Sequence, residues 1–173
     1  KTRKLKLDVS FQKISYKDFA KIDTNELYSH QLPRKSDTFI KNRFIKHPIY
    51  SYDIYSISKK NKLLSLCVIR PIFKENSVVL RLVDFIGPNE SFSLLNNFVM
   101  DLLEEYKAEY LDVYSHGIPT ILLKKAGFIN RKKIKGLIIP NYFEPFERKN
   151  VDLLFAYKKF GNDTPVRLFK ADG

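Results

Sequence analysis

The chain has 173 residues, 44% hydrophobic and 14% aromatic, with a net charge of +12. That is one domain's worth, enough to bury a core and too apolar for a disordered segment. No apolar run approaches the ~20 residues that cross a bilayer, and the basic N-terminus lacks a signal-peptide apolar core.

In chain order, "KLDVSFQKIS" alternates apolar and polar residues and predicts a strand. "SYKDFAKIDTNELYSHQ" spaces Phe19, Ile22, Asn25 and Glu26 as a helix does. "SDTFIKNRFIKHP" predicts a second helix, capped by Ser36 or Asp37, with Phe39, Ile40, Arg43 and Phe44 on one side and Pro48 as its stop. "YSYDIYSIS", the turn "KKNK" and "LLSLCVIRPIF" read as a β-hairpin, and "NSVVLRLVDFIG" as the next strand. "NESFSLLNNFVMDLLEEYKAE" predicts the longest helix, with Phe92, Leu95, Phe98, Val99, Leu102, Leu103 and Tyr106 on its apolar face. "YLDVYSHG" is a further strand, "IPTILLKKAG" a short helix closed by Gly127, and "FINRKKIKGLIIP" and "NVDLLFAYKKF" two final strands. The order is β-α-α-β-β-β-α-β-α-β-β, an α/β domain spanning residues 1–173.

The positive charge is carried by 23 lysines and 8 arginines. Lysine neutralises phosphates without the bidentate fork that reads bases, so sequence-specific nucleic-acid binding is not expected. A basic surface suits any anionic partner, and a Lys-, Ile- and Asn-rich composition also follows from an AT-rich coding sequence. The lone Cys67 excludes an internal disulfide and a multi-cysteine metal site; within "LLSLCVIRPI" it predicts a buried core thiol in a reducing compartment. His30, His47 and His116 are too scattered for a zinc site, so no metal is expected. No GxGxxG, Walker loop or serine elbow is present.

With "LLKKAGF" (Leu122–Phe128) standing before the last strands, this element order resembles the GNAT (GCN5-related N-acetyltransferase) superfamily. The resemblance implies a mixed, mostly antiparallel sheet flanked by helices, with a splayed central strand pair. It also implies acetyl-CoA or another acyl-CoA as cofactor and a small-molecule or sugar substrate. "LRLVDFIG…YLDVYSHG…IIPNYFEPF" is similar to GNAT-like bacterial proteins of surface-polysaccharide loci. In those proteins such a module often forms the C-terminal half of a longer chain, so a second GNAT-like domain or a homodimer is an expected partner. The implied activity is N- or O-acylation of a sugar or polysaccharide precursor in the cytoplasm. The rival is a domain of this shape that has lost catalysis and serves in binding or docking. Two departures favour that rival. The family's glycine-rich phosphate loop is reduced to "IGPNESFS", and its general-acid tyrosine corresponds to Leu123.

Acyl transfer needs a base, donors for the oxyanion and an acid for the leaving thiolate. Asp84, near the end of a central strand, is a candidate base or else a structural carboxylate bonded to a neighbouring backbone or to Arg81. Tyr114 and His116 alternate with Asp112 on the next strand. If that strand lies beside Asp84's, the three side chains cluster with it at the diverging ends; His116 can instead cap the helix that follows. The N–H groups of Ser91, Phe92 and Ser93, with Asn89, can hold a phosphate at a helix start, or Asn89 or Ser91 simply caps the helix. Tyr142, Phe143 and Phe146 form either the acceptor side of a cleft or a loop packing on the sheet; Tyr142 or Tyr114 can stand in for the missing acid.

Overall fold

The computed structural model describes residues 9–139, 149–150, 152, 154–161 and 163–172. These fall into two compact units. The first comprises Lys1–Gly127 with Asp163–Gly173, and the second is Phe128–Asn162.

The first unit is built on a five-stranded sheet in the order β1 (Val9–Lys13), β2 (Asp53–Lys59), β3 (Lys62–Lys74), β4 (Ser77–Ile86), β5 (Leu111–Val113). The first four strands are antiparallel neighbours and β5 runs parallel to β4. This is the mixed, mostly antiparallel sheet that the resemblance implies. The β2–β3 turn forms at Lys60 and Asn61, both at positive φ (49° and 62°), the backbone twist that joins two strands through a two-residue loop.

Directly opposed residues share a face of the sheet. Ile54, Val68, Leu66 and Ile86 therefore lie together and meet Phe19, Leu27, Ile40 and Phe44 of the N-terminal segments. Those segments are α1 (Tyr16–Phe19), a 3-10 turn (Asn25–His30) and α2 (Asp37–Ile40), which runs on as a π turn through Lys41–Ile45. Ser36 caps α2, its hydroxyl accepting from the Phe39 N–H at 3.1 Å. The opposite face carries Tyr55, Ile57, Cys67 and Phe85. It is covered by α3 (Asn89–Phe92) and α4 (Leu95–Glu105) through ring contacts of Phe98 with Phe11 (4.7 Å) and Tyr55 (4.9 Å), and of Phe92 with Phe85 (4.9 Å). Each buried aromatic of this kind contributes about 1.5–3 kcal/mol by leaving water. Cys67 is fully buried, and burial pushes its thiol up, so it is an unreactive core residue.

Several elements differ from the sequence reading. The long helix is two pieces, because the chain turns at Ser93–Leu94, where N–H groups bond carbonyls three residues back. "YLDVYSHG" splits into β5 and β6 (Ser115–His116). β6 pairs not with β4 but with β7 (Leu168–Phe169), a strand absent from the sequence reading. α5 (Thr120–Lys125) ends as expected, with Gly127 at φ +91°.

In the second unit, neither expected strand forms among the described residues. Residues 128–139 hold a 3-10 turn at Arg131–Lys133, and local bonds from Ile134 to Arg131 and from Leu137 to Ile134 take up backbone groups a ladder would need. The Asn150 side chain caps the next stretch, donating to the Leu137 carbonyl (2.7 Å) and accepting from the Ile139 N–H (2.9 Å). Tyr142, Phe143 and Phe146 lie outside the described residues.

Candidate functional site

The β3–β4 register carries a bulge. Val68 opposes Asp84 but Ile69 opposes Leu82, so Val83 is an extra residue on β4. Simple alternation would put Arg81 and Asp84 on opposite faces. The extra residue brings both to the face covered by the N-terminal segments. Beside it, β4 and β5 pair only from Leu80–Leu111 to Leu82–Val113 and then part. β4 continues to Ile86 while the other chain leaves toward β7. The result is a splayed parallel pair with a carboxylate at the root of the opening.

Asp84 is fully buried. Its Oδ1 accepts from the Phe85 N–H at 2.9 Å, and Lys35 Nζ stands 3.2 Å from Oδ2. Lys35 is itself buried and directs its hydrogen bond to Asp172, so its contact with Oδ2 is coulombic without an aligned bond. Burial pushes the Asp84 carboxyl up to about 6; the Lys35 charge opposes this and Asp172 adds to it. Arg167, also buried, reaches the Gly87 carbonyl (2.6 Å), the Asn89 side chain (2.7 Å) and Gln31. Desolvation lowers its guanidinium to about 10. Lys35 thus faces two acids out of water, while the Arg167 guanidinium is held by neutral oxygens.

Arg81 is not the partner of Asp84. It forms a bidentate pair with Asp112, Nε to Oδ1 at 2.8 Å and Nη2 to Oδ2 at 2.6 Å, with its guanidinium 5.0 Å from the Tyr114 ring centroid. Tyr114 is half-buried beside this pair, and His116 is exposed on β6. The expectation that Asp84 and His116 face one open cleft is corrected. Asp84 is closed from solvent, and the chain carrying His116 turns away to pair with Leu168.

The strand-turn-helix junction is also filled locally. Ser91 and Phe92 are buried. The Ser91 N–H bonds the Pro88 carbonyl (3.2 Å) and the Ser93 N–H bonds that of Glu90 (3.2 Å). The Ser91 hydroxyl donates to Pro88 O (2.7 Å) and accepts from Ser65 (2.9 Å). Asn89 is engaged by Arg167. In this conformation the turn is a cap, with the amides of Ser91 and Ser93 committed.

Lys35, Asp172, Arg167 and Gln31 were missed by the sequence reading. Lys35 stands in "PRKSD" and Asp172 in "KADG", both reading as polar turns, and no local pattern marks either as buried. Among the described residues no group of three His, Cys, Asp or Glu side chains could hold a metal ion. The second unit has an open groove of about 410 Å³ near Ile134, Leu137 and Asn150, but its cations Arg131 and Lys132 both pair with Asp152, which leaves little charge for a ligand.

The fold of this chain is that of GNAT acetyltransferases. It is similar to a GNAT family acetyltransferase of Staphylococcus aureus subsp. aureus USA300_TCH1516, at 15% identity over 72% of this chain and 93% of that one, with a TM-score of 0.52. It is similar also to the aminoglycoside acetyltransferase meta-AAC0020 from an uncultured soil metagenomic sample, solved in complex with trehalose, at 8% identity over 89% and 97% of the two chains, with a TM-score of 0.50. No family model matches the sequence, and no curated protein matches it. No described helix is long and apolar enough to cross a membrane.

An acyl-CoA does not fit the site as it stands. The amides of Ser91 and Ser93 are occupied, and residues 165–172 stand in the opening between β4 and β5.

Proposed function

We propose that this chain is an acyl-CoA-dependent acyltransferase domain that acylates an amine or hydroxyl of a small molecule, a sugar or surface-polysaccharide precursor, in the cytoplasm. One observation carries the reading: the parallel strands β4 and β5 part directly after Leu82 and Val113, with the Asp84 carboxyl at the root of the gap. Crevices outside the carboxyl ends of parallel strands are where open α/β sheets take their ligands. A carboxyl held near 6 is matched to removing a proton from an acceptor at neutral pH.

In this reading Asp84 is the base for the acceptor. Tyr114 directly follows β5 and is the candidate to donate a proton, while His116, on β6, belongs to the machinery only if that segment moves. The turn Asn89–Ser93 would hold the phosphate end of an acyl donor only in a conformation in which its local bonds are open. α5, which packs on α3, brings Lys124 and Lys125 to that side. Tyr142 and Phe143 belong to the acceptor side, and a second domain of the same fold or a second copy completes the assembly.

A second reading, a docking or binding domain without catalysis, is favoured by the committed amides of Ser91 and Ser93. Titration with acetyl-CoA separates the two. A ligand bound only by the folded state raises stability by ~2.7 kcal/mol at a hundredfold excess over Kd. A melting temperature unmoved by millimolar acetyl-CoA and CoA would leave the docking reading.

A further inference from the structure

Residues Pro165–Asp172 hold the opening from both sides. On one side β7 pairs with β6, Ser115 with Phe169 and His116 with Leu168. On the other, the Arg167 side chain reaches the Gly87 carbonyl at the end of β4 and Asn89 at the start of α3. The segment is tied to the N-terminal part by Leu32 N–H to Pro165 O (2.9 Å) and Arg167 N–H to Leu32 O (2.8 Å), and by the Lys35–Asp172 ion pair. Ala171 enters the apolar cluster around Val68 and Ile86. The segment covers Asp84, yet its own regular structure is slight: two strand residues and a 3-10 turn, Lys170–Asp172, closed by Asp172 Oδ2 accepting from the Phe169 N–H (2.8 Å).

The network it completes is imperfect. Gln31 Nε2 and Arg167 Nε are buried without hydrogen-bond partners, and Asp84 Oδ2 has only its ion-pair contact with Lys35. Each such atom costs free energy in the closed form that is recovered when water or a ligand reaches it. The sheet beneath is held differently, by ladders that pair β2, β3 and β4 along most of their lengths.

We propose that Pro165–Asp172 is a latch that opens as a unit, without unfolding the sheet, and that its opening uncovers Asp84 and the gap between β4 and β5 for substrate. The inference deepens the acyltransferase reading by supplying the step that the closed site lacks, and it rests on that reading for the identity of the ligand only. The charge on Lys35 that Asp172 now answers becomes available to an incoming anionic group when Asp172 withdraws with the segment.

Hydrogen exchange read by mass spectrometry tests this on the full chain and on Asp172→Asn, with and without CoA as the probe. In the unmodified chain the amides of Arg167 and Phe169 should exchange through an opening insensitive to low denaturant, while those of β3 exchange only on global unfolding. Asp172→Asn should speed the segment by about tenfold or more, the usual effect of losing a charge-assisted bond, and leave β2 and β3 unchanged. Exchange of the segment only together with β3, or no acceleration in a folded Asp172→Asn chain, overturns the latch. So does CoA binding, seen by calorimetry, that leaves the segment's exchange unaltered. A latch that opens in Asp172→Asn while CoA binds neither chain supports the latch and overturns the acyl-donor reading instead.

Discussion

Arg81 and Asp112 clamp β4 to β5 at the last stretch where the two strands run side by side, through two buried bonds of 2.8 and 2.6 Å. The pair sets where the splay begins. Removing Asp112 alone leaves a buried guanidinium without its counter-charge, so Asp112→Ala should lower stability by about 3–5 kcal/mol. Replacing both with apolar residues, Arg81→Met with Asp112→Leu, should restore most of that loss. Urea midpoints of the two variants measure it, and equal losses would show that the pair is not acting as a unit.

Asp84 gives the fold an acid-side gain. Its folded value of about 6 lies above the ordinary 3.8, so the folded state binds its proton more tightly than the unfolded chain does. Stability should therefore rise as pH falls from 7 toward 4, by on the order of 2–3 kcal/mol for a shift of this size. Asp37 works in the opposite sense. The hydroxyls of Thr24 and Tyr28 hold it below its ordinary value against desolvation, so its contribution is lost as pH falls through its lowered folded value. Thermal melts at pH 7 and 5 of the chain and of Asp84→Asn make the comparison. The gain between those pH values should vanish in Asp84→Asn, and its persistence would assign it elsewhere.

Gly87 ends β4 at φ +133°, and a Cβ there would come within 2.6 Å of both Leu64 O and Ser65 Cβ. Gly87→Ala combines a backbone conformation that side chains resist with a clash against backbone, and should cost about 2–4 kcal/mol. A denaturation midpoint close to that of the unmodified chain would show that the turn can relax.

For catalysis, Asp84→Asn should reduce acetyl-CoA-dependent acylation of an amino-sugar panel by ~10²–10⁴-fold, the scale for losing an acid–base group. His116 is exposed, so His116→Ala should leave stability within about 0.5 kcal/mol, the range for surface substitutions. Any loss of turnover in that variant then reports chemistry rather than folding. Turnover unchanged in folded Asp84→Asn removes Asp84 as the base.

The parts of the fold that were legible in the sequence are those fixed by near neighbours. Alternation in "YSYDIYSIS" and "LLSLCVIRPIF" and the apolar stripe through Phe92, Leu95, Phe98 and Leu102 gave β2, β3 and the α3–α4 face, because period and burial are local properties. The bulge at Val83 left no trace, since one extra residue in an apolar run looks like any other. β7 escaped because "RLF" has neither length nor alternation and forms only where β6 offers a partner. Asp84 was legible as a carboxylate in an apolar strand. Its partners were not, because Lys35 and Asp172 read as ordinary turn residues and become a site only through contacts across most of the chain.

That sequence distance has a consequence during synthesis. Lys35 and Asp172 are 137 positions apart, and a chain is made from its N-terminus. Lys35 and Asp84 both leave the ribosome well before Asp172. A nascent chain therefore passes through an interval in which Lys35 has Asp84 alone to answer it, and the unit can reach its closed form only once the 165–172 segment has been made.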